Sequence, residues 1–173
     1  MSIKIYHAGE LVHTASKFDE MEKYIQADDA HVKFPGGEFW FRHGKLHRDG
    51  DKPAGIMGGT KTWCQNGLIH RDGDKPALTG ANGSKSWYQH GKEHRDGDKP
   101  AVIRPEGMYW FQHGVRYRPR DSEPSSITKK GKHFTGTFTD KKGRKHRSGG
   151  LPAVECSCGK NQWWIHGKRQ PDQ

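Results

Sequence analysis

The stretch His47-Arg48-Asp49-Gly50-Asp51-Lys52-Pro53-Ala54 recurs letter for letter as His70 to Ala77 and as His94 to Ala101, at spacings of 23 and 24 residues. A phrase returning at that period marks a chain of small supersecondary units, each too small to bury a core alone. Reading outward, a Trp stands three residues before a His-Gly or Asn-Gly pair at Trp40, Trp63, Trp87, Trp110 and Trp163. The last of these follows His146-Arg147, Gly150, Pro152 and Ala153, a partial copy of the phrase. The expected organisation is an N-terminal hairpin and helix over residues 1–33 and four β-hairpin repeats over 34–118. A basic insertion over 119–145 and a divergent fifth repeat over 146–173 complete it.

Each unit reads as strands and turns. Pro53, Pro76 and Pro100 each open a short apolar run, and proline is tolerated at the first residue of a strand because no ladder donor is needed there. A glycine-containing turn follows, then a Trp-bearing run whose aromatic and β-branched residues suit a pleated surface. That run closes at Asn66-Gly67, His90-Gly91 or His113-Gly114, where glycine supplies the positive φ of a tight hairpin. The fold expected is all-β: antiparallel β-hairpin repeats in a meander or open solenoid, with a short N-terminal helix as cap. Side chains alternate along a strand, so the five Trp form a core spine. Phe41, Cys64, Tyr88, Phe111 and Trp164 form a second column, either a second buried layer or a partly exposed aromatic ladder. Ser16 to Ile25 reads as the helix, with Ser16 as N-cap and Phe18, Met21 and Ile25 on one face. Terminal caps of this kind keep repeat arrays soluble.

Hydrophobic residues make up 30% of the 173 residues, which suits one domain with a thin core. No apolar run approaches the roughly 18 residues of a membrane span, and the N-terminus lacks a signal-peptide pattern. Three cysteines, Cys64, Cys156 and Cys158, are too few and odd in number for a disulfide framework. These features predict a protein of a reducing, cytoplasm-like compartment.

The repeated phrase does not carry familiar catalytic or calcium chemistry. A kinase catalytic loop would place Asn where Ala54, Ala77 and Ala101 stand, and an EF-hand loop would need an oxygen ligand at Pro53. Asp49, Asp72 and Asp96 are expected to accept backbone N–H bonds two residues on, with the adjacent Arg pairing across the loop. Histidines 47, 70 and 94, one per unit, form a ladder that serves the turns or binds a transition metal. Cys156 and Cys158 with His146 and His166 supply four zinc-ligand types, although Cys-x-Cys is not the Cys-x-x-Cys knuckle spacing. On a strand the two cysteines would instead share one face as small buried hydrophobes. No cofactor is called for.

Charge is concentrated outside the regular units. Of the net +10, residues 118–147 carry +7, from ten Lys and Arg against three Asp and Glu. Residues 119–126 have linker composition. Residues 129–147 read as one basic β-hairpin turning at Asp140-Lys141-Lys142-Gly143. Basic side chains with interspersed aromatics suit a phosphate backbone through counterion release and stacking, and also suit a solvated loop. The interface expected comprises Lys129, Lys130, Lys132, Lys141, Lys142, Arg144, Lys145 and Arg147, with Phe134 and Phe138 as stacking groups.

The His-Arg-Asp-Gly-x-x-Pro-Ala phrase, the glycine turn, the Trp strand and the Asn/His-Gly turn together resemble the MORN-like repeat variants of phages and large DNA viruses. The resemblance covers about Phe34 to Arg118 and His146 to Arg169. The chain departs from that pattern in the added Asp-Lys before proline and in Tyr117-Arg-Pro of the fourth unit. The resemblance implies a viral, non-enzymatic β-repeat protein, which would work in the host cytoplasm, and carries no defined activity; the basic segment, not the resemblance, points to nucleic acid or another polyanion as partner. The alternatives are a virus-encoded inhibitor that binds a host protein, and a membrane-lipid or metal-binding repeat protein.

Overall fold

Trp63 donates its backbone N–H to Ala77 in the next repeat at 2.8 Å and accepts the N–H of His70 at 3.1 Å, and equivalents of these two bonds recur at Trp40, Trp87 and Trp110. The computed structural model describes residues 2–118 and 122–172. Each Pro-Ala leads into a sheet strand, as in the antiparallel hairpin of Gly55–Met57 with Thr60–Thr62. Ala54, Ala77, Ala101 and Ala153, the residues that follow the prolines, are fully buried. Beyond the Trp, the chain forms a second hairpin of two-residue strands, Cys64–Gln65 with Leu68–Ile69. Phe111–Gln112 with Val115–Arg116 and Trp164–Ile165 with Lys168–Arg169 repeat it. Both turn residues have positive φ (52° and 83° at Asn66 and Gly67), which matches the twist of a two-residue hairpin and favours Asn-Gly. The all-β, antiparallel hairpin-repeat expectation is met, with two hairpins per repeat.

The chain divides into two units, and the division passes through the third repeat. One unit runs to Gly83 and includes Tyr88–Gly91; the other comprises Ser84–Trp87 and everything from Lys92 onward. In the first, antiparallel strands lie in the order Glu10–Ala15, Ile3–His7, Ala30–Phe34, Gly37–Arg42, Gly55–Met57, Thr60–Thr62, Leu78–Thr79. In the second, the order is Lys85–Ser86, Val102–Arg104, Gly107–Tyr109, Ser126–Lys130, His133–Thr137, Val154–Cys156. Apart from the first hairpin, order in the sheet follows order in the chain, as a meander requires.

At the N-terminus, Ile3, Ile5, Ala15, Met21 and Val32 form a closed core against Tyr24, Ile25, Phe34 and Phe41. The helix starts later than Ser16: a 3-10 turn covers Asp19–Met21 and one α-helical turn covers Glu22–Ile25. Ser16 instead gives its N–H and hydroxyl to the Glu20 carboxylate at 3.1 and 3.0 Å. The end of the helix does act as a cap. Gly44 N–H donates to Ile25 O at 2.9 Å, as Gly67 N–H donates to Leu46 O at 2.9 Å one repeat later. The helical turn therefore supplies the carbonyl that a preceding repeat would supply.

The basic segment expected to interrupt the array is itself a repeat. Phe138 donates its N–H to Ala153 O at 2.9 Å and accepts that of His146 at 3.2 Å, the bonds Trp63 makes. Upstream, Trp110 N–H donates to Ser125 O at 2.8 Å, so Pro124-Ser125 stands in place of Pro-Ala. Ser125 is buried and its hydroxyl donates to Thr137 O at 3.1 Å, which corrects the linker reading for the described part of residues 119–126. Pro119, Arg120 and Asp121 lie outside the described residues. Trp163, whose carbonyl takes the N–H of Gln170 at 2.8 Å, thus belongs to a sixth repeat rather than a fifth. Among the described residues, no helix is long and apolar enough to cross a membrane.

Candidate polyanion interface and disulfide turn

The histidine of the repeated phrase ties its repeat to the next in four places. His47, His70, His94 and His146 accept at Nδ1 the backbone N–H of Asn66, His90, His113 and His166, at 3.0 to 3.2 Å. Where the turn residue is His, its ring stacks on the accepting His, with centroids 4.6, 4.2 and 4.0 Å apart. Nδ1 is therefore unprotonated and the ring proton sits on Nε2, which faces Asp72 from His70 and Asp96 from His94, at 3.0 Å in both cases. The aspartates of the phrase thus orient the imidazoles of the same phrase. Hydrogen bonds from His70 and Gln65 hold Asp72 below the usual carboxylate range. Among the described residues, no group of three or more His, Cys, Asp or Glu side chains gathers as a metal would require, and the ladder histidines bond through Nδ1 to the turn of the repeat that follows.

Arginine of the same phrase lies on the spine. The guanidiniums of Arg48, Arg71 and Arg95 sit 3.5 to 3.8 Å from the ring centroids of Trp40, Trp63 and Trp87. Each also donates to the proline carbonyl five residues on. Arg71 and Lys75 converge on Asp51 of the preceding repeat at 2.6 and 2.7 Å, and these bonds hold Asp51 far below the usual carboxylate range. Arg118 and Asp98 repeat the pair at 2.5 Å. Sequence reasoning missed the stacking, although Arg follows Trp by eight residues in the first four repeats and that spacing is visible.

The ten residues expected at the polyanion interface separate into three groups. Lys129, Lys130 and Lys132 are exposed at the tip of the hairpin Ser126–Lys130 with His133–Thr137, whose turn is Gly131-Lys132. Phe134 is 50% exposed beside them, and Lys129 Nζ lies 5.5 Å from its ring centroid. Lys141 and Lys142 are exposed in a different turn, built on Asp140, which accepts the N–H groups of Lys142 and Arg144, each at 3.0 Å. Burial opposes ionisation of Asp140, yet Arg144, His166 and those backbone donors hold it far below the carboxylate range. The third group is turned inward. Phe138 is 4% exposed as a spine residue, Arg147 stacks on it at 3.8 Å and pairs with Glu155, and Lys145 lies 4.5 Å over the half-buried Trp164. One basic hairpin turning at 140–143 is thus corrected to two basic turns. Residues 133–139 between them would span roughly 20 Å if extended.

The zinc set is not assembled. Cys156 and Cys158 are joined in a disulfide, with Cα atoms 5.1 Å apart. Cys156 ends its strand half-buried and Cys158 lies exposed in the turn that follows, so strand alternation does not apply and neither is a buried hydrophobe. His146 is committed to His166. Cys64 is the free cysteine, and burial pushes its thiol up. In the second aromatic column Cys64 is buried while Phe41, Tyr88, Phe111 and Trp164 are half-buried. No protein family, curated protein or solved structure matches the chain.

Proposed function

We propose that the chain is a non-enzymatic β-repeat binding module, related to the MORN-like repeat variants of viruses and acting in the host cytoplasm. It contacts a polyanion such as nucleic acid through the tip formed by Lys129, Lys130, Lys132 and Phe134. One observation carries this reading: no carboxylate among the described residues pairs with those three exposed ammonium groups, and one of them, Lys129, lies 5.5 Å from the ring centroid of Phe134, which is half exposed. The hairpin has five-residue strands, against two or three residues in the corresponding hairpins of the second, third and fourth repeats. Its pairs Lys129↔Phe134 and Lys130↔His133 continue past the last neighbour pairings, Gly107↔Thr128 on one side and Thr135↔Cys156 on the other.

Such a tip suits a phosphate chain: each ammonium displaces a condensed counterion, and a flat ring stacks on a base without regard to its sequence. Lys141 and Lys142 offer a secondary contact at the Asp140 turn. The test is binding of fluorescent single- and double-stranded DNA and RNA by the full chain and by a Lys129→Glu, Lys130→Glu, Lys132→Glu variant. Loss of binding in the variant is expected. Undiminished binding would remove the tip from the interface, and salt-insensitive capture of a host protein by the nucleic-acid-free chain would replace the reading.

A further inference from the structure

We propose that the Cys156–Cys158 bridge is a site of reversible thiol–disulfide exchange, at which an accessible thiol is taken up as a mixed disulfide on Cys158. The inference stands apart from polyanion binding and begins with what the bridge does not do. A ring closed across one intervening residue removes little freedom from the unfolded chain, and structural bridges normally close far longer loops. The turn is held without it. Gly159 N–H donates to Cys156 O at 2.8 Å, and Cys156 N–H donates to Asn161 Oδ1 at 3.0 Å. Ser157 and Phe134 exchange two hydrogen bonds across the strands, at 2.9 and 3.0 Å. Opening the bridge leaves all of these in place.

The two sulfurs are also unlike. Cys158 is exposed and open to an entering thiolate, whereas Cys156 is half-buried and its Sγ accepts the N–H of Cys158 at 3.2 Å. A hydrogen bond to sulfur favours the thiolate that must depart. Lys160, two residues beyond Cys158, is exposed with no carboxylate partner among the described residues, and Glu155 is occupied by Arg147. The local field therefore draws an anionic thiolate in.

In the first step the entering thiolate attacks Sγ of Cys158. A new S–S bond forms, the Cys156–Cys158 bond breaks, and its electron pair leaves on Cys156. A second thiol attacking the bound sulfur releases Cys158, so two thiols become one disulfide while the protein gains two electrons and two protons as a dithiol. Oxidised glutathione runs both steps in reverse. Exposed bridges are the ones that exchange in this way.

The test uses the full chain carrying Cys64→Ser, which leaves only this pair, in reduced and oxidised glutathione buffers of about 5 mM at about neutral pH, with acid quenching, alkylation and mass measurement. Expected are reversible opening and closing of the bridge, and glutathione uptake about tenfold faster by Cys156→Ser, which retains Cys158, than by Cys158→Ser. A bridge that stays closed in reduced glutathione, or fails to re-form in oxidised glutathione, overturns the proposal without recourse to a variant. Equal or reversed rates in the two variants overturn the assignment of Cys158 as the attacked sulfur.

Discussion

His90 donates its backbone N–H to Nδ1 of His70, in the preceding repeat, at 3.2 Å, and the two imidazoles stack 4.6 Å apart. His70 is 8% exposed, so this bond lies where water does not readily substitute for it. The repeated His is thereby explained as a coupling between neighbours, which is where the stability of repeat arrays resides. His70→Ala would leave the His90 N–H without its acceptor and cost about 1 to 3 kcal/mol, read by chemical denaturation. Nitrogen NMR of the imidazoles is expected to show the Nε2–H tautomer at His70 and His94. An Nδ1–H tautomer at either would contradict the coupling.

Phe138 and Phe134 are four residues apart and have opposite environments, one in the spine and one half exposed. Phe138→Ala is expected to cost about 3 to 5 kcal/mol, as for truncation of a buried aromatic. Phe134→Ala is expected to change stability by no more than about 0.5 kcal/mol while weakening nucleic-acid binding. Denaturation midpoints of the two variants test the six-repeat frame, and similar losses would contradict it.

Asp51 links two repeats through Arg71 and Lys75, and its carboxyl is held far below the usual range. A carboxylate depressed on folding adds stability above its unfolded pKa, near 3.9, and that contribution is lost as pH falls through the folded value. Hydrogen bonds to His47 and Arg42 depress Asp49, and those to His70 and Gln65 depress Asp72, in the same direction. Melting of the wild type should therefore exceed that of Asp51→Asn at neutral pH, with the gap narrowing progressively below about pH 4. A gap that widened on acidification would reverse the sign and contradict the role of Asp51.

Much of the architecture was legible in the chain because His47 to Ala54 returns unaltered twice and Trp keeps its distance from the turn glycine. The fifth repeat was not, for two physical reasons. Phe138 fills the Trp position, and the path from it to His146 is one residue longer than from Trp63 to His70, the extra length being absorbed by the Asp140 turn. Alternation misled at Cys156 and Cys158 because it holds within a strand and the strand ends at Cys156. At the candidate interface, composition located the lysines but not their partners. Only the paired register could separate Lys129, Lys130 and Lys132 from Arg147, which is spent on Phe138 and Glu155.

The most direct test of the binding account is the salt dependence of single-stranded DNA and RNA affinity for three proteins. These are the wild type, a variant with Lys129, Lys130 and Lys132 replaced by Gln, and one with Lys141 and Lys142 replaced by Gln. Each phosphate contact contributes about 0.7 to the slope of log affinity against log salt for single strands. The account predicts that the first variant loses about 2 units of slope and most of its affinity, with a smaller change in the second. Equal slopes for the wild type and the Lys129, Lys130, Lys132 variant would contradict the assignment of the hairpin tip as the polyanion interface.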